Sequence, residues 1–106
     1  MQKLKLSDGG ARGWFMGDFP EALIRTQDFE VCYQITPVGP HVAHYHKIVT
    51  EVQLFIRGRI VVNGVEFGPG DVCVIEPGEV SSGDILEELE VVCIKYPSVP
   101  DDKYYV

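Results

Sequence analysis

His44 and His46 stand two residues apart, and Glu51 follows five residues after His46. On an extended strand, residues i and i+2 project from one face, so the two imidazoles point at one spot. A short turn between two strands brings the Glu51 carboxylate to the same place. Two neutral imidazoles and a carboxylate form an N/O donor set suited to a divalent transition metal such as Fe, Mn, Ni, Zn or Co. His41 has the opposite parity and reaches that spot only through a bulge, so it is expected to be exposed and outside the ligand set.

Strands must hold these groups. Residues 29–36, FEVCYQIT, alternate: Val31, Tyr33 and Ile35 share one face, and Cys32, Gln34 and Thr36 the other. Residues 37–40 are a proline- and glycine-stiffened turn into the histidine strand, 41–47. The next strand, 50–57, places Glu51, Gln53, Phe55 and Arg57 on one face and Val52, Leu54 and Ile56 on the other. If Glu51 faces a pocket, Gln53 and Phe55 line it. The opposite face is then wholly aliphatic and needs a cover, which predicts a homodimer. Arg57 reads as a surface residue at a strand end.

The remaining chain supplies strands and turns. Lys3 to Leu6 reads as an edge strand, and Trp14 to Met16 as a short strand over one end of the core. Asn63-Gly64 is a type I′ hairpin signal. Val72 to Ile75 reads as a buried strand, Ser81 to Asp84 as a polar loop, and Leu89 to Tyr96 as a core strand. Tyr104 and Tyr105 are expected to fold back onto the body or reach a partner chain. No long stretch has helical periodicity, and turn signals recur between short strands. That pattern means an all-β sandwich or barrel.

At 106 residues the chain is of single-domain size. A formal net charge of −7 argues against nucleic acid and against anionic membrane as partners. No apolar run is long enough for a transmembrane helix, and the N-terminus lacks a signal-peptide core. Cys32, Cys73 and Cys93 are widely spaced and odd in number, which fits buried thiols in a reducing cytoplasm.

The stretch from Gly39 to Gly58 resembles the first motif of the cupin superfamily, Gly-x5-His-x-His-x4-Glu-x6-Gly. His44, His46, Glu51 and Gly58 keep its spacing, and the leading gap from Gly39 is one residue short. Residues 70–81, GDVCVIEPGEVS, resemble the second motif through Gly70-Asp71, Ile75 and Pro77-Gly78. The resemblance implies a single-domain double-stranded β-helix, or jelly-roll barrel, over residues 29–96. Residues 1–28 would then be an extension packing on the barrel or on a partner, and 97–106 a tail. It also implies a metal held by His44, His46 and Glu51, with a small-molecule ligand in the barrel. Tyr33, Gln53, Phe55 and Ser81 are expected to line the pocket.

The second motif departs from the family at its last position. Where family members with a complete metal site carry a fourth-ligand histidine, this chain has Ser81, whose neutral hydroxyl is a poor ligand. Glu79, Ser82, Asp84 or water are candidate replacements, and a bulge that shifts the strand would let Glu76 or Glu79 supply a second carboxylate. Three readings follow: a three-ligand metal site serving an oxygenase or isomerase, a metal-free sugar or small-molecule cupin of epimerase type, or a non-catalytic module. The sequence identifies no catalytic residue, no substrate and no single metal.

Overall fold

The computed structural model describes all 106 residues. The strands are β1 (Trp14–Gly17), β2 (Ile24–Arg25), β3 (Glu30–Thr36), β4 (Gly39–Tyr45), β5 (Thr50–Val62), β6 (Val65–Phe67), β7 (Val72–Ile75), β8 (Ser81–Tyr96) and β9 (Tyr104–Tyr105). The two longest, β5 and β8, pair antiparallel from Thr50 opposite Tyr96 to Val62 opposite Gly83. Their register shifts between Phe55 and Ile60. Each of them bends there, and the sheet folds over on itself.

Two layers result. In one, β1, β3, the C-terminal half of β8, the N-terminal half of β5 and β7 lie side by side, with β2 outside β1. In the other, β9, β4, the N-terminal half of β8, the C-terminal half of β5 and β6 lie side by side. This is a jelly-roll barrel, closed where β5 and β8 bend and open where β3 and β5 begin and β4, β7 and β8 meet their loops. Gly58 makes the bend possible. Its φ is 93°, and a Cβ there would lie 2.2 Å from the Glu88 carbonyl oxygen. The Asn63-Gly64 hairpin forms as expected, with positive φ at both residues (50° and 79°).

Inward-facing residues of both layers make one core: Cys32, Phe55, Ile60, Val62, Cys73, Ile75, Ile85, Leu89, Val91 and Cys93. Trp14 and Phe67 pack against it. The three cysteines are buried and unpaired. No helix is long and apolar enough to cross a membrane.

Four expectations change. Residues 3–6 form no strand; the N-terminal segment makes short helical turns at Leu6–Asp8 and Ala11–Gly13. Residues 81–84 are not a loop but the first residues of β8. Val72 and Val74 face outward, 52% and 51% exposed, while Cys73 and Ile75 face in. In β8, Leu89, Val91 and Cys93 are buried while Val92 and Ile94 are only partly so. The reason is common to the last two: in a two-layer barrel each strand has one face on the core and one outside. Val52, Leu54 and Ile56 share that outer face with Val72 and Val74, and no segment of this chain covers Leu54 or Ile56.

Candidate metal centre

The open end of the barrel is where the chemistry-bearing residues meet. β4 delivers His44, the loop after it His46, and the start of β5 Glu51. All three are buried, at 6%, 1% and 5% exposure. One donor atom from each lies within 4.8 Å of the others. The two imidazole rings stand 5.4 Å apart, steeply inclined. The two motif regions are tied to each other: the Gly78 N–H donates to the His46 carbonyl at 2.7 Å. That bond fixes the Pro77-Gly78 turn against the histidine segment.

Backbone carbonyls set the histidine tautomers. His44 Nδ1 donates to the Val42 carbonyl at 2.9 Å, and His46 Nδ1 donates to the Asp102 carbonyl at 2.5 Å. A carbonyl only accepts, so Nδ1 carries a proton in both rings, and in the neutral form of either ring Nε2 is the lone-pair atom. This is the outer-sphere arrangement that orients histidines toward a metal. At His46 it has a further consequence. Nε2 lies 2.9 Å from Glu51 Oε1, and a neutral ring in this tautomer would set a lone pair against a carboxylate. The contact is favourable only with an imidazolium or with a cation shared between the two groups.

Glu51 is held ionised. Burial alone would push its carboxyl up. With His46 as an imidazolium donating from Nε2, that hydrogen bond, the charge of Lys95 and the amide of Gln53 outweigh burial and hold it at about 2. Gln53 donates to Glu51 Oε2, so both carboxylate oxygens are engaged. Burial lowers the His44 pKa, only partly offset by its Val42 carbonyl bond. A neutral His44 is the form that ligates a metal.

The predicted lining residues separate. Ser81 is 1% exposed and directly opposite His44 in register, so the position where the motif resemblance expects a fourth ligand is at the site and holds a hydroxyl. Gln53 is at the site. Phe55 lies on the same inner face one step deeper, where it is 1% exposed and packs against Phe67 within the apolar core. Tyr33 is not at the site. Cys32 takes the inward position on β3, which turns Tyr33 outward, and its hydroxyl donates to Glu90. Alternation fixes which residues share a face but not which face is inside. Arg57 is exposed and pairs with Glu88 and Glu90. Glu76, Glu79 and Asp84 are exposed, with Glu76 accepting from Thr50 Oγ1, and none joins the cluster. The Ser82 N–H donates to the Asn63 side chain.

Two site residues lie beyond the expected set. The register between β4 and β8 shifts between His41 and His44. That bulge swings His41 to the site, half-buried, with its ring centroid 5.2 Å from that of His44. The expectation that His41 is exposed is therefore corrected, and Val42 is the exposed residue instead (61%). Asp102 is the second. Its carbonyl holds His46, and its carboxylate accepts the backbone N–H groups of Lys47, Ile48 and Val49 at 2.9–3.1 Å. Burial would raise its pKa, but those three donors lower it. The tail thus clamps the loop between the histidines and Glu51. β9 fastens the tail by pairing Tyr105 with His44 and Tyr104 with Tyr45.

No family model matches the chain, and no curated protein matches it. Solved structures do. A protein from Klebsiella pneumoniae with a double-stranded β-helix domain shares 20% identity, covering 76% of this chain and 72% of that one, with a TM-score of 0.66. Ectoine synthase from P. lautus shares 14% identity over 100% of this chain and 90% of its own, with a TM-score of 0.71. Pac13, a nucleoside dehydratase, shares 15% over 76% and 70%, with a TM-score of 0.69. With a bent, two-layer barrel and these neighbours, the chain has the double-stranded β-helix fold found in cupin proteins.

Proposed function

We propose that the chain binds one divalent transition metal through His44 Nε2, His46 Nε2 and a Glu51 oxygen, and takes a small molecule at the open end of the barrel. The observation that carries this is the pair of Nδ1–carbonyl bonds. They leave two lone-pair nitrogens beside a buried, ionised carboxylate, an arrangement that a cation satisfies. Three protein donors leave coordination positions open, as in two-histidine, one-carboxylate sites. Ser81 does not fill the fourth position. A metal bound there supplies Lewis-acid polarisation of a ligand oxygen. The chain's own residues do the rest. Gln53 holds the Glu51 carboxylate in place, Asp102 holds the His46 ring, and the half-buried His41, its pKa lowered by burial, stands beside His44 as a neutral proton acceptor. An ectoine synthase and a nucleoside dehydratase on the same fold support small-molecule chemistry as the use of this barrel. The reaction itself, oxygenation, isomerisation or another, is left to substrate screening.

A second reading rests on the 2.9 Å contact between His46 Nε2 and Glu51 Oε1. As an imidazolium–carboxylate pair, these two would form a metal-free acid–base dyad. Elemental analysis separates the readings. Protein purified without an affinity tag and reconstituted in turn with Fe, Mn, Ni and Zn should hold about one equivalent of at least one of them. The equivalent should vanish in His44→Ala and in Glu51→Ala. Metal well below stoichiometric after every reconstitution would remove the first reading and leave the dyad.

A further inference from the structure

Glu30 is a buried carboxylate that the barrel chemistry does not use. It starts β3, is 7% exposed, and its Oε1 is the one buried side-chain polar atom without a hydrogen-bond partner. An unpaired oxygen of this kind costs free energy that a donor would recover. Glu30 forms part of the wall of a cavity of about 270 Å³ between the N-terminal segment and the C-terminal tail. Arg12, Trp14, Lys95, Asp102 and Lys103 line it too.

The charges of that wall are unequally satisfied. The Asp102 carboxylate already accepts three backbone N–H groups. Arg12, Lys95 and Lys103 take part in no ion pair; the chain's ion pairs use Arg25, His46, Arg57 and Arg59. Lys95 rests on the Trp14 ring at 4.8 Å and Lys103 on the Tyr105 ring at 5.3 Å. The carboxylates of Glu21 and Asp101 lie at the exposed rim. The cavity therefore presents free cations, an aromatic wall and one buried acceptor. At about 30 Å³ per water, it holds a ligand of about ten non-hydrogen atoms or fewer.

We propose that this cavity is a second ligand site, separate from the His44–His46–Glu51 cluster, for a small carboxylate that carries a neighbouring hydrogen-bond donor. The ligand carboxylate meets Arg12 and Lys103, its ammonium or hydroxyl donates to Glu30, and its carbon skeleton lies against Trp14. An amino acid and a hydroxy acid share this chemistry. The site needs no metal. Asp102 is a wall of this cavity and also the clamp on His46, so an occupant rests against the residue that positions the metal centre.

Trp14 is the chain's single tryptophan, and its fluorescence reports the site directly. The probes are glycine and L-serine for the amino form, and glycolate and L-lactate for the hydroxy form, with acetate and methylamine as single-group controls. One of the two-group probes should give a saturable change, and the arm that saturates tells which form the site takes. Arg12→Gln, Lys103→Gln and Glu30→Gln should each weaken it about tenfold. His44→Ala should leave it unchanged, which keeps this outcome distinct from any failure of the metal reading. Arg12 is exposed, so that variant decides the matter even where a change at buried Glu30 unfolds the chain. The proposal is overturned by no saturation below about 10 mM for any two-group probe, by acetate binding equally well, by unchanged affinity in Arg12→Gln, or by loss of binding in His44→Ala.

Discussion

The two ends of the barrel are built from the same strands and differ in what those strands turn inward. At the open end β5 presents Glu51; the next inward residue is Gln53; the next is Phe55. The neighbouring strands follow the same gradient. Glu51 lies opposite Lys95, and Gln53 lies between Cys93 and Cys73, with Cys32 beyond Cys93. Phe55 lies opposite Val91. An ionised group, an amide among thiols and an aromatic ring thus occupy successive steps along one strand. The closed end gains from removing apolar surface from water. The open end keeps groups whose burial costs free energy unless each is partnered, and among its fully enclosed side-chain atoms Glu30 Oε1 lacks a partner. One end stabilises the molecule, and the other draws on that stability to hold a site.

The sharpest way to divide the two ends is to remove mass from the closed one. Phe55→Ala deletes a ring that is 1% exposed and leaves a cavity beside Phe67. The expected cost is about 3–5 kcal/mol in denaturant unfolding. Under folding conditions the variant should still bind metal with unchanged stoichiometry, because Glu51 and Gln53 sit above the cavity. If metal binding falls in step with stability, the two ends are not separable and the gradient along β5 carries no division of labour.

The open end is probed from the opposite direction by Asp102→Ala. It removes the acceptor for three backbone donors and loosens the tail, costing about 2 kcal/mol. Its effect on metal affinity should be out of proportion to that, about 10- to 100-fold, as for other groups that orient a ligating histidine. Asp102→Asn, which keeps one side-chain oxygen as acceptor, should recover part of both. An Asp102→Ala protein that binds metal as tightly as the parent would show that the Val42 and Asp102 carbonyls hold the rings in place without the Asp102 carboxylate clamp. It would weaken the distinction between a packed end and a positioned one.

How far these ends were legible in the sequence follows from the range of the interactions. The spacing of His44, His46 and Glu51 is local, and strand periodicity converts it directly into one shared face. The companion turn at Pro77-Gly78 and the Asn63-Gly64 hairpin are equally local. Ideal alternation puts His41 outward; the bulge that brings it in depends on pairing with β8, which alternation does not encode. Alternation along β3 groups Tyr33 with Val31 and Ile35 but does not say which side of the sheet that face takes, and the fold turns it outward. Asp102 lies more than fifty residues from the loop it clamps, and nothing in PSVPDDKYYV marks one aspartate over its neighbour. Residues that act through the folded-back tail were therefore the ones the sequence hid.

The outer face of β5 supplies the smallest perturbation and a contrast with the inner one. Val52, Leu54 and Ile56 alternate with Glu51, Gln53 and Phe55, and Leu54 and Ile56 are 41% and 44% exposed. Val72 and Val74 beside them are more exposed still. Val52 and Leu54 pair in register with Val74 and Val72, so these side chains form one continuous aliphatic patch of the kind that marks an interaction site. The patch carries no charge of its own, and a second copy of the same surface is a partner it fits without desolvating ionised groups. We propose that it is the interface of a homodimer. Leu54→Lys should change the stability of the isolated chain by no more than about 0.5 kcal/mol, because the side chain is not in the core. The same substitution should convert a dimer to a monomer in light scattering at micromolar concentration, because it places two like charges in a buried apolar contact. A parent protein that is already monomeric would show that this outer face is tolerated in water, and the strand would then have one working face, the inner one.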